Sequence, residues 1–314
     1  MPEEHQIINS EDEFRDGYLV SCDMKRVWTV QLRLLNKLLQ VCSAHNLKIW
    51  ADGGTLLGTI RHKGYIPWDD DIDMVMMRED YDKLVRISAS EFKAPFFFQT
   101  AYSEKVPYPR GHAQLRMDGT TAILPFDIDQ DFHQGIFIDI FPYDDVPENK
   151  DELDQLIRTR DEMSYRLNEY AYGKYGLIHF KQNQAIWKNR RFIDKIGFIE
   201  YFREYEALLS KNTGYKTVSC LSFLTDLNRF QRDKKWYEET LYLPFEDSVI
   251  PVPSGFEEIL AKEYGPDYMI PIRQDSIHGH FEVLDPDRPY TDYLSELRKL
   301  RKKKRWLERF RLSR

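Results

Sequence analysis

The sequence predicts an α+β protein, a mixed α/β sheet flanked by helices with a largely helical segment added. Three observations carry this. Residues 24–47 repeat apolar side chains every three or four positions, with Val27, Leu34, Leu38 and Val41 on one stripe, the period of an amphipathic helix. "IDMVMM" (72–77) and "GIFIDIFPYDDV" (135–146) are short apolar runs bounded by turn residues, as strands are. From about 149 to 213 the chain is long, charged and helical in pattern, with Tyr and Phe interleaved. Strand and turn signals return in "LYLPFEDSVIPVP" (241–253). That order does not fit a regular βαβ series.

The elements follow in chain order. Residues 1–22 read as a polar lead-in, and the amphipathic helix comes next. "KIWADGG" (48–54) reads as a short strand meeting a glycine turn, and "IDMVMM" as the next strand. "REDYDKLVRISA" (78–89) has a helical pattern with acids near its start, and "APFFFQT" (94–100) a strand pattern. "HAQLRMDGTTAIL" (112–124) predicts a strand, a turn at Asp118-Gly119 and a second strand. Pro142 is expected to stop the strand that begins at Gly135. "SGFEEILAKEYG" (254–265) reads as a short helix with Ser254 near its cap. Four segments result: the lead-in 1–22, a core 23–148, a helical segment and return 149–290, and a basic tail 291–314.

The chain of 314 residues is 42% hydrophobic, enough for a substantial core and too apolar for a disordered chain. Its three cysteines, Cys22, Cys42 and Cys220, have neither metal-ligand nor redox spacing. A sparse odd set fits a reducing compartment. The first residues are acidic and polar, unlike a secretory signal, and no apolar run approaches the length of a membrane span. A cytoplasmic location is expected. Charge is segregated: the formal net charge is −7, yet residues 298–314 carry +9, leaving −16 for the rest.

Asp69, Asp70, Asp71 and Asp73 crowd five residues and run straight into apolar sequence. Carboxylates this close repel, and each raises the pKa of the others. If "DIDMVM" is extended, Asp71 and Asp73 share one sheet face while Ile72, Met74 and Met76 take the other. In "GIFIDIF" Asp139 lies between Phe137 and Phe141, opposite Ile136, Ile138 and Ile140. If the two strands are neighbours, three carboxylates meet on one surface. Asp71, Asp73 and Asp139 then suit a hard divalent cation, Mg²⁺ or Mn²⁺, carrying substrate phosphates. A calcium loop fails on spacing, because Met74 stands where the sharp turn needs glycine. A solvated acidic turn is the other reading, and it leaves the run into "IDMVMM" to be explained. Just upstream, Gly53 and Gly54 allow close backbone approach and an anion nest, Thr55 adds a hydroxyl donor, and Arg61, His62 and Lys63 add positive charge.

"ADGGTLLGTIRHKGYIPWDDDIDMVM" (51–76) resembles the signature of the LicD/fukutin family, within the nucleotidyltransferase superfamily. "GIFIDIFPYDDV" resembles its second block and residues 243–271 its C-terminal block. The resemblance spans most of 45–280, and the stretch 149–235 carries little of it. It implies a nucleotidyltransferase-like sheet in which Gly-Gly-Thr opens a helix beside nucleotide phosphates. It also implies Asp71 and Asp73 as metal ligands, with Asp139 as third carboxylate, either ligand or base. The implied reaction moves a phospho-alcohol, phosphocholine foremost or a phospho-polyol, from a CDP-linked donor to a glycan hydroxyl, and CMP leaves. Arg61 and then Arg116 are the choices for donor-phosphate contact. Two other reactions fit the same residues: sugar transfer from a nucleotide sugar through Asp-x-Asp, and nucleotide transfer with pyrophosphate leaving.

Three further features have two readings each. His278 and His280 either ligate or orient a ligand, or make ordinary loop hydrogen bonds. The aromatics of 168–180 either stack sugars or pack a helix. In the tail, Leu294, Leu297, Leu300, Leu307 and Phe310 approximate a helical stripe among Lys and Arg. Such a segment suits an anionic membrane surface, where glycan acceptors on lipid carriers reside. A peripheral position at the inner face follows. The acidic body and the lack of any RNA- or DNA-binding motif argue against nucleic acid.

Overall fold

A computed structural model describes residues 11–173, 183–223, 226–272 and 281–312; for 183–187 and 304–312 it describes backbone alone. The hairpin β1 (Glu13–Arg15) and β2 (Tyr18–Val20) leads into α1 (Cys22–Ala44). β3 (Trp50–Ala51), α2 (Gly53–His62), β4 (Asp73–Met77) and α3 (Arg78–Glu91) follow. Next come β5 (Phe96–Gln99), β6 (Ala113–Met117), β7 (Thr121–Ile123) and β8 (Phe137–Asp145). The helical segment is α4 (Lys150–Tyr172), α5 (Asn183–Ile196) and α6 (Phe198–Ser210). After it run β9 (Thr217–Ser219), the short α7 (Leu227–Phe230), β10 (Arg232–Asp233) and the strands β11 (Thr240–Phe245) and β12 (Ser248–Pro253). The last elements are α8 (Phe256–Tyr264), β13 (Val283–Asp285) and α9 (Tyr290–Leu312).

The α+β expectation holds. Seven strands form a mixed sheet around a parallel pair, β4 and β8. β3 pairs antiparallel with the other edge of β4. β8 uses its second edge twice, first against β6 and then against β9. β5 extends the sheet beyond β6, and β10 beyond β9. Ile72, Met74, Met76, Ile136, Ile138 and Ile140 are all buried in one core with Leu34, Leu35 and Leu38 of α1. Both strands thus alternate as their sequences predict, with carboxylates on the face away from the isoleucines.

Three features depart from the sequence reading. Part of the expected lead-in, 11–22, is hairpin rather than tail: Arg15 pairs with Glu246 at 2.6 Å, and the buried Lys25 pairs with Glu13 at 2.8 Å. β7 does not return against β6. After the Asp118-Gly119 turn, Ala122 N–H bonds Gln134 and β7 instead pairs with β13, 160 residues later in the register Val283↔Ile123. The strand over 135–146 is not stopped by Pro142, which sits opposite Met76 within β8. Proline lacks one donor, and a strand accommodates it where the ladder does not need that N–H.

The helical segment has its own apolar cluster, including Leu156, Leu167, Phe202, Tyr205 and Leu209. Arg78 ties it to the sheet's surroundings. Its guanidinium grips the buried Asp144 of β8 through two bonds, Nε–Oδ1 at 2.6 Å and Nη2–Oδ2 at 2.8 Å. Arg78→Met should lower unfolding free energy by about 3–5 kcal/mol, because it leaves a carboxylate buried without its partner. Arg78→Met combined with Asp144→Asn should recover part of the loss, as read from urea unfolding of the two variants.

Candidate functional site

The acidic run lies between α2 and β4, and α1 holds it by its backbone. Trp28 Nε1 donates to the carbonyl of Asp69 at 3.1 Å, and Gln31 Nε2 to that of Asp70 at 2.7 Å. Tyr65 O–H donates to Gln31 Oε1 at 3.0 Å and its ring stacks on Trp28, with centroids 4.4 Å apart. The carbonyls are therefore fixed and the carboxylates crowd together. Asp69, Asp70 and Asp71 each offer an oxygen within 4.8 Å of the others'. Asp71 precedes β4, so it and Asp73 are not related by one strand's pleat as expected. Asp69 and Asp70 belong to the cluster although the sequence reading chose only Asp71 and Asp73 from the run.

Asp73 opens β4 and lies directly opposite Asp139 of β8. The two strand carboxylates do meet. Burial, then Asp71, Asp139 and Asp69, push the Asp73 carboxyl well above the usual range. Burial also raises Asp69, to about 6. Asp139 goes the other way. Burial alone would raise it, but the hydrogen bond and charge of His112, with Gln114 behind them, hold it below the usual range. His112 Nε2 is 3.2 Å from Asp139 Oδ1, and Gln114 Nε2 donates to the same oxygen at 2.7 Å. Where one proton is present in this pair, it resides on Asp73.

Gln114 cannot turn round. Its Oε1 accepts from Tyr108 O–H at 2.8 Å, Arg110 Nη1 at 3.1 Å and Arg116 Nη2 at 2.5 Å. With three donors on the oxygen, the amide NH₂ must face Asp139. Arg116 is thus not a phosphate contact. It is buried, bonds Gln99, Gly135 O and Gln114, and lies over the Phe137 ring at 4.4 Å. Sequence reasoning missed Gln114 and His112, since their strand position acquires meaning only once β6 is known to lie beside β8.

α2 brings its first residues against the acids. Gly53 has φ +51°, a conformation glycine adopts without strain. A Cβ on Gly54 would fall 2.7 Å from Asp69 Oδ2, and one on Gly53 3.6 Å from Asp73 Oδ2. At Gly54 only hydrogen leaves Asp69 where it is, whereas at Gly53 a Cβ would make ordinary contact and the positive φ is what favours glycine. Asp52 occupies the N-cap position yet makes no cap bond; its Oδ2 accepts from Tyr143 O–H at 2.7 Å. Hence no side chain caps the first N–H groups of α2, unlike those of α1 and α4, which Ser21 and Asn149 cap. Such an end favours anions. Thr55 differs from expectation: its Oγ1 accepts the N–H of Asp73 at 2.9 Å, locking helix to strand. Arg61 lies in the last turn of α2, about 10 Å along the axis from Gly54. Its Nη1 donates to Tyr268 O at 2.8 Å and its Nε to His62 Nε2 at 2.8 Å, so it braces the helix's far end instead of facing the acids.

The chemistry of this set suits a hard divalent cation. Its donors are clustered carboxylate oxygens, two of them raised in pKa chiefly by burial, and glycines leave the approach clear. His278 and His280 lie outside the described residues, as does 174–180 of the aromatic stretch. In the tail, Leu294 and Leu297 pack with Ile123 and Ile128, while Leu300 is exposed. Arg298 bonds the Ile128 carbonyl at 2.7 Å and pairs with Asp131 at 2.9 Å; Arg301 pairs with Asp129 at 3.3 Å. The described part of the stripe is thus divided between the body and solvent, part of its positive charge meets the acidic loop 127–131, and the side chains of Leu307 and Phe310 lie outside the described residues. Among the described residues no helix is long and apolar enough to cross a membrane.

Residues 46–172 match the model of the family described as LicD/FKTN/FKRP, nucleotidyltransferase domain. The chain is 27% identical over 260 residues to the lipopolysaccharide cholinephosphotransferase LicD of Haemophilus influenzae, covering 81% of this chain and 94% of that protein. It is 31% identical to an uncharacterized protein of Rickettsia prowazekii over 43% of each. A shorter match, 37% over 51 residues, reaches human ribitol 5-phosphate transferase FKRP, 16% of this chain and 10% of that one.

Gln114→Leu removes the acceptor shared by Tyr108, Arg110 and Arg116, and should cost about 1–3 kcal/mol of stability. Gln114→Glu keeps that acceptor and adds charge toward two guanidinium groups, so its urea midpoint should stay nearer wild type.

Proposed function

The chain belongs to the LicD/FKTN/FKRP nucleotidyltransferase family, and on that premise we propose that it transfers a phospho-alcohol from a CDP-linked donor to a glycan hydroxyl, releasing CMP. Phosphocholine is the favoured group, because the relative matched along most of both chains is a cholinephosphotransferase. One observation carries the reading: the uncapped glycine end of α2 abuts Asp69 and Asp73, with Asp139 opposite Asp73 on the next strand. Anion-favouring amides and cation-favouring carboxylates in contact are what a metal-bound diphosphate requires.

Asp69, Asp71 and Asp73 would hold Mg²⁺ or Mn²⁺. When bound, the ion supplies charge neutralisation for the diphosphate and for the departing CMP. The first N–H groups of α2 receive donor phosphate oxygens over Gly53 and Gly54. Thr55 fixes the helix to Asp73, so that the two halves of the site keep one spacing. Asp139, expected as a third ligand or a base, is assigned to the acceptor side, since His112 and Gln114 already engage its Oδ1. There it orients the acceptor hydroxyl and takes its proton as the new O–P bond forms and the bond to CMP breaks. A loose phosphoryl transition state asks little basicity of it. The basic tail beyond Arg301 would set the enzyme at an anionic membrane face, where lipid-linked glycans lie.

The reading is tested by mass spectrometry of the nucleotide released. The purified protein is given Mg²⁺, a lipid-linked glycan extract and a panel of CDP-choline, CDP-ribitol, CDP-glycerol, UDP-sugars, CTP and ATP. CMP from a CDP-alcohol, lost in Asp71→Asn, is expected. UDP from a UDP-sugar, or pyrophosphate from CTP or ATP, would overturn the reaction. Gln114→Glu sets a like charge against Asp139 and should lower turnover about 10–100-fold while the protein remains folded.

Protonation gives a second test. The Asp69 carboxyl, at about 6 when folded, lies near 3.9 in an unfolded chain. Between these values the folded state binds more protons, so this group's contribution to stability falls as pH rises through the window. Without divalent ion at pH 7.5, Asp69→Asn should therefore be more stable than wild type, by about 1–3 kcal/mol. Mg²⁺ must displace those protons, so its stabilisation of wild type should be larger at pH 7.5 than at pH 5. Thermal unfolding with and without Mg²⁺ checks both.

A further inference from the structure

An exposed phenylalanine stands beside the acceptor-side carboxylate. Phe223 is 65% exposed. Its ring lies 5.8 Å from that of His112 and 5.4 Å from that of Phe141, and the His112 and Phe141 rings are 4.6 Å apart. Phe141 follows Asp139 by two residues on the same face of β8. The His112 ring reaches Asp139 with Nε2, at 3.2 Å. Three rings thus make a wall with a carboxylate one side chain away.

The turn that presents Phe223 is firmly seated. Phe223 N–H bonds Cys220 O at 3.3 Å. The buried Arg160 donates to Leu221 O at 3.0 Å, and Tyr205 O–H to Ser222 O at 3.4 Å. Gly111 lets the turn come close, since a Cβ there would meet Ser222 Cβ at 2.5 Å. Other rings near the site already carry a protein cation: Arg116 lies over Phe137 and Arg110 over Tyr108. Among the described residues no arginine or lysine lies over Phe141 or Phe223.

Phenylalanine faces with no arginine or lysine over them select a bulky, weakly hydrated cation. A polyol has no charge for this wall to meet. Resting on the phospho-alcohol reading, we infer that Phe141 and Phe223 receive the quaternary ammonium of the transferred alcohol. The wall then sets which alcohol is moved: one that ends in a trimethylammonium group in preference to a sugar alcohol.

Steady-state kinetics of Phe223→Ala with CDP-choline and CDP-glycerol tests this, since Phe223 is exposed and its removal leaves the core intact. KM for CDP-choline should rise about tenfold, that for CDP-glycerol less than twofold, and Phe223→Trp should restore the first. An equal change for both donors, or a change confined to KM for the glycan, would overturn the inference. Turnover of polyol donors alone by the wild type would also overturn it, while leaving phospho-alcohol transfer in place. A direct measurement is independent of turnover: calorimetry with tetramethylammonium chloride, and with sodium chloride as control. Binding by wild type that weakens in Phe223→Ala supports the wall, and no binding by wild type overturns it.

Discussion

Mutual repulsion among Asp69, Asp71, Asp73 and Asp139 is the constraint on which the rest of this structure depends. Left to themselves these groups would separate into water. α1 prevents this by holding backbone rather than side chains: Trp28 and Gln31 bond the carbonyls of Asp69 and Asp70 and leave the carboxylates to project. The parallel pairing of β4 and β8 does the same for Asp73 and Asp139. The cost is visible in the Asp73 carboxyl, which burial raises first and Asp71, Asp139 and Asp69 raise further. Strain of this kind, concentrated where a ligand of opposite charge relieves it, marks functional sites in general.

The four acids are not equivalent. Asp73 has carboxylates around it and is driven toward its neutral form, whereas Asp139 is backed by His112 and Gln114 and is driven toward its ionised form. The difference originates in β6. That strand sets Gln114 beside Asp139 in the register, and the half-buried Arg110 and the buried Arg116 hold the amide in one orientation. A pair of opposed carboxylates is thereby divided into unlike roles by groups that touch only one of them, which is how neighbouring acids acquire separate functions.

Much of this was legible in the chain. The alternation in "GIFIDIF" placed Asp139 on the polar face, and Gly-Gly followed by an acidic run indicated close approach to an anion and a cation together. What was not legible depended on distance in three dimensions. Arg61 looked like a phosphate ligand because it is near Gly54 in sequence, but a helix carries residues seven apart to opposite ends of two turns. Arg116 looked like a second phosphate contact because a lone arginine gives no hint of burial, and only the pairing of β6 with β8 surrounds it. β7 was read as the return of a hairpin, since nothing in "MDGTTAIL" reveals a partner as remote as Val283–Asp285. Asp52 stands at the N-cap of α2, and only Tyr143, from β8, shows why its carboxylate turns away.

The register of β4 against β8 also limits how the site can vary. Asp73 faces Asp139 through a pleat whose period is two residues, so a slip of one would turn a carboxylate into the core among isoleucines. Intermediate spacings do not exist along a strand. Adjustment is confined to what is not pleated: the loop 69–71, the glycine end of α2 and the turn that carries Phe223. Descent from a common ancestor can therefore vary the rim, while the distance between the two strand carboxylates is inherited as a fixed quantum.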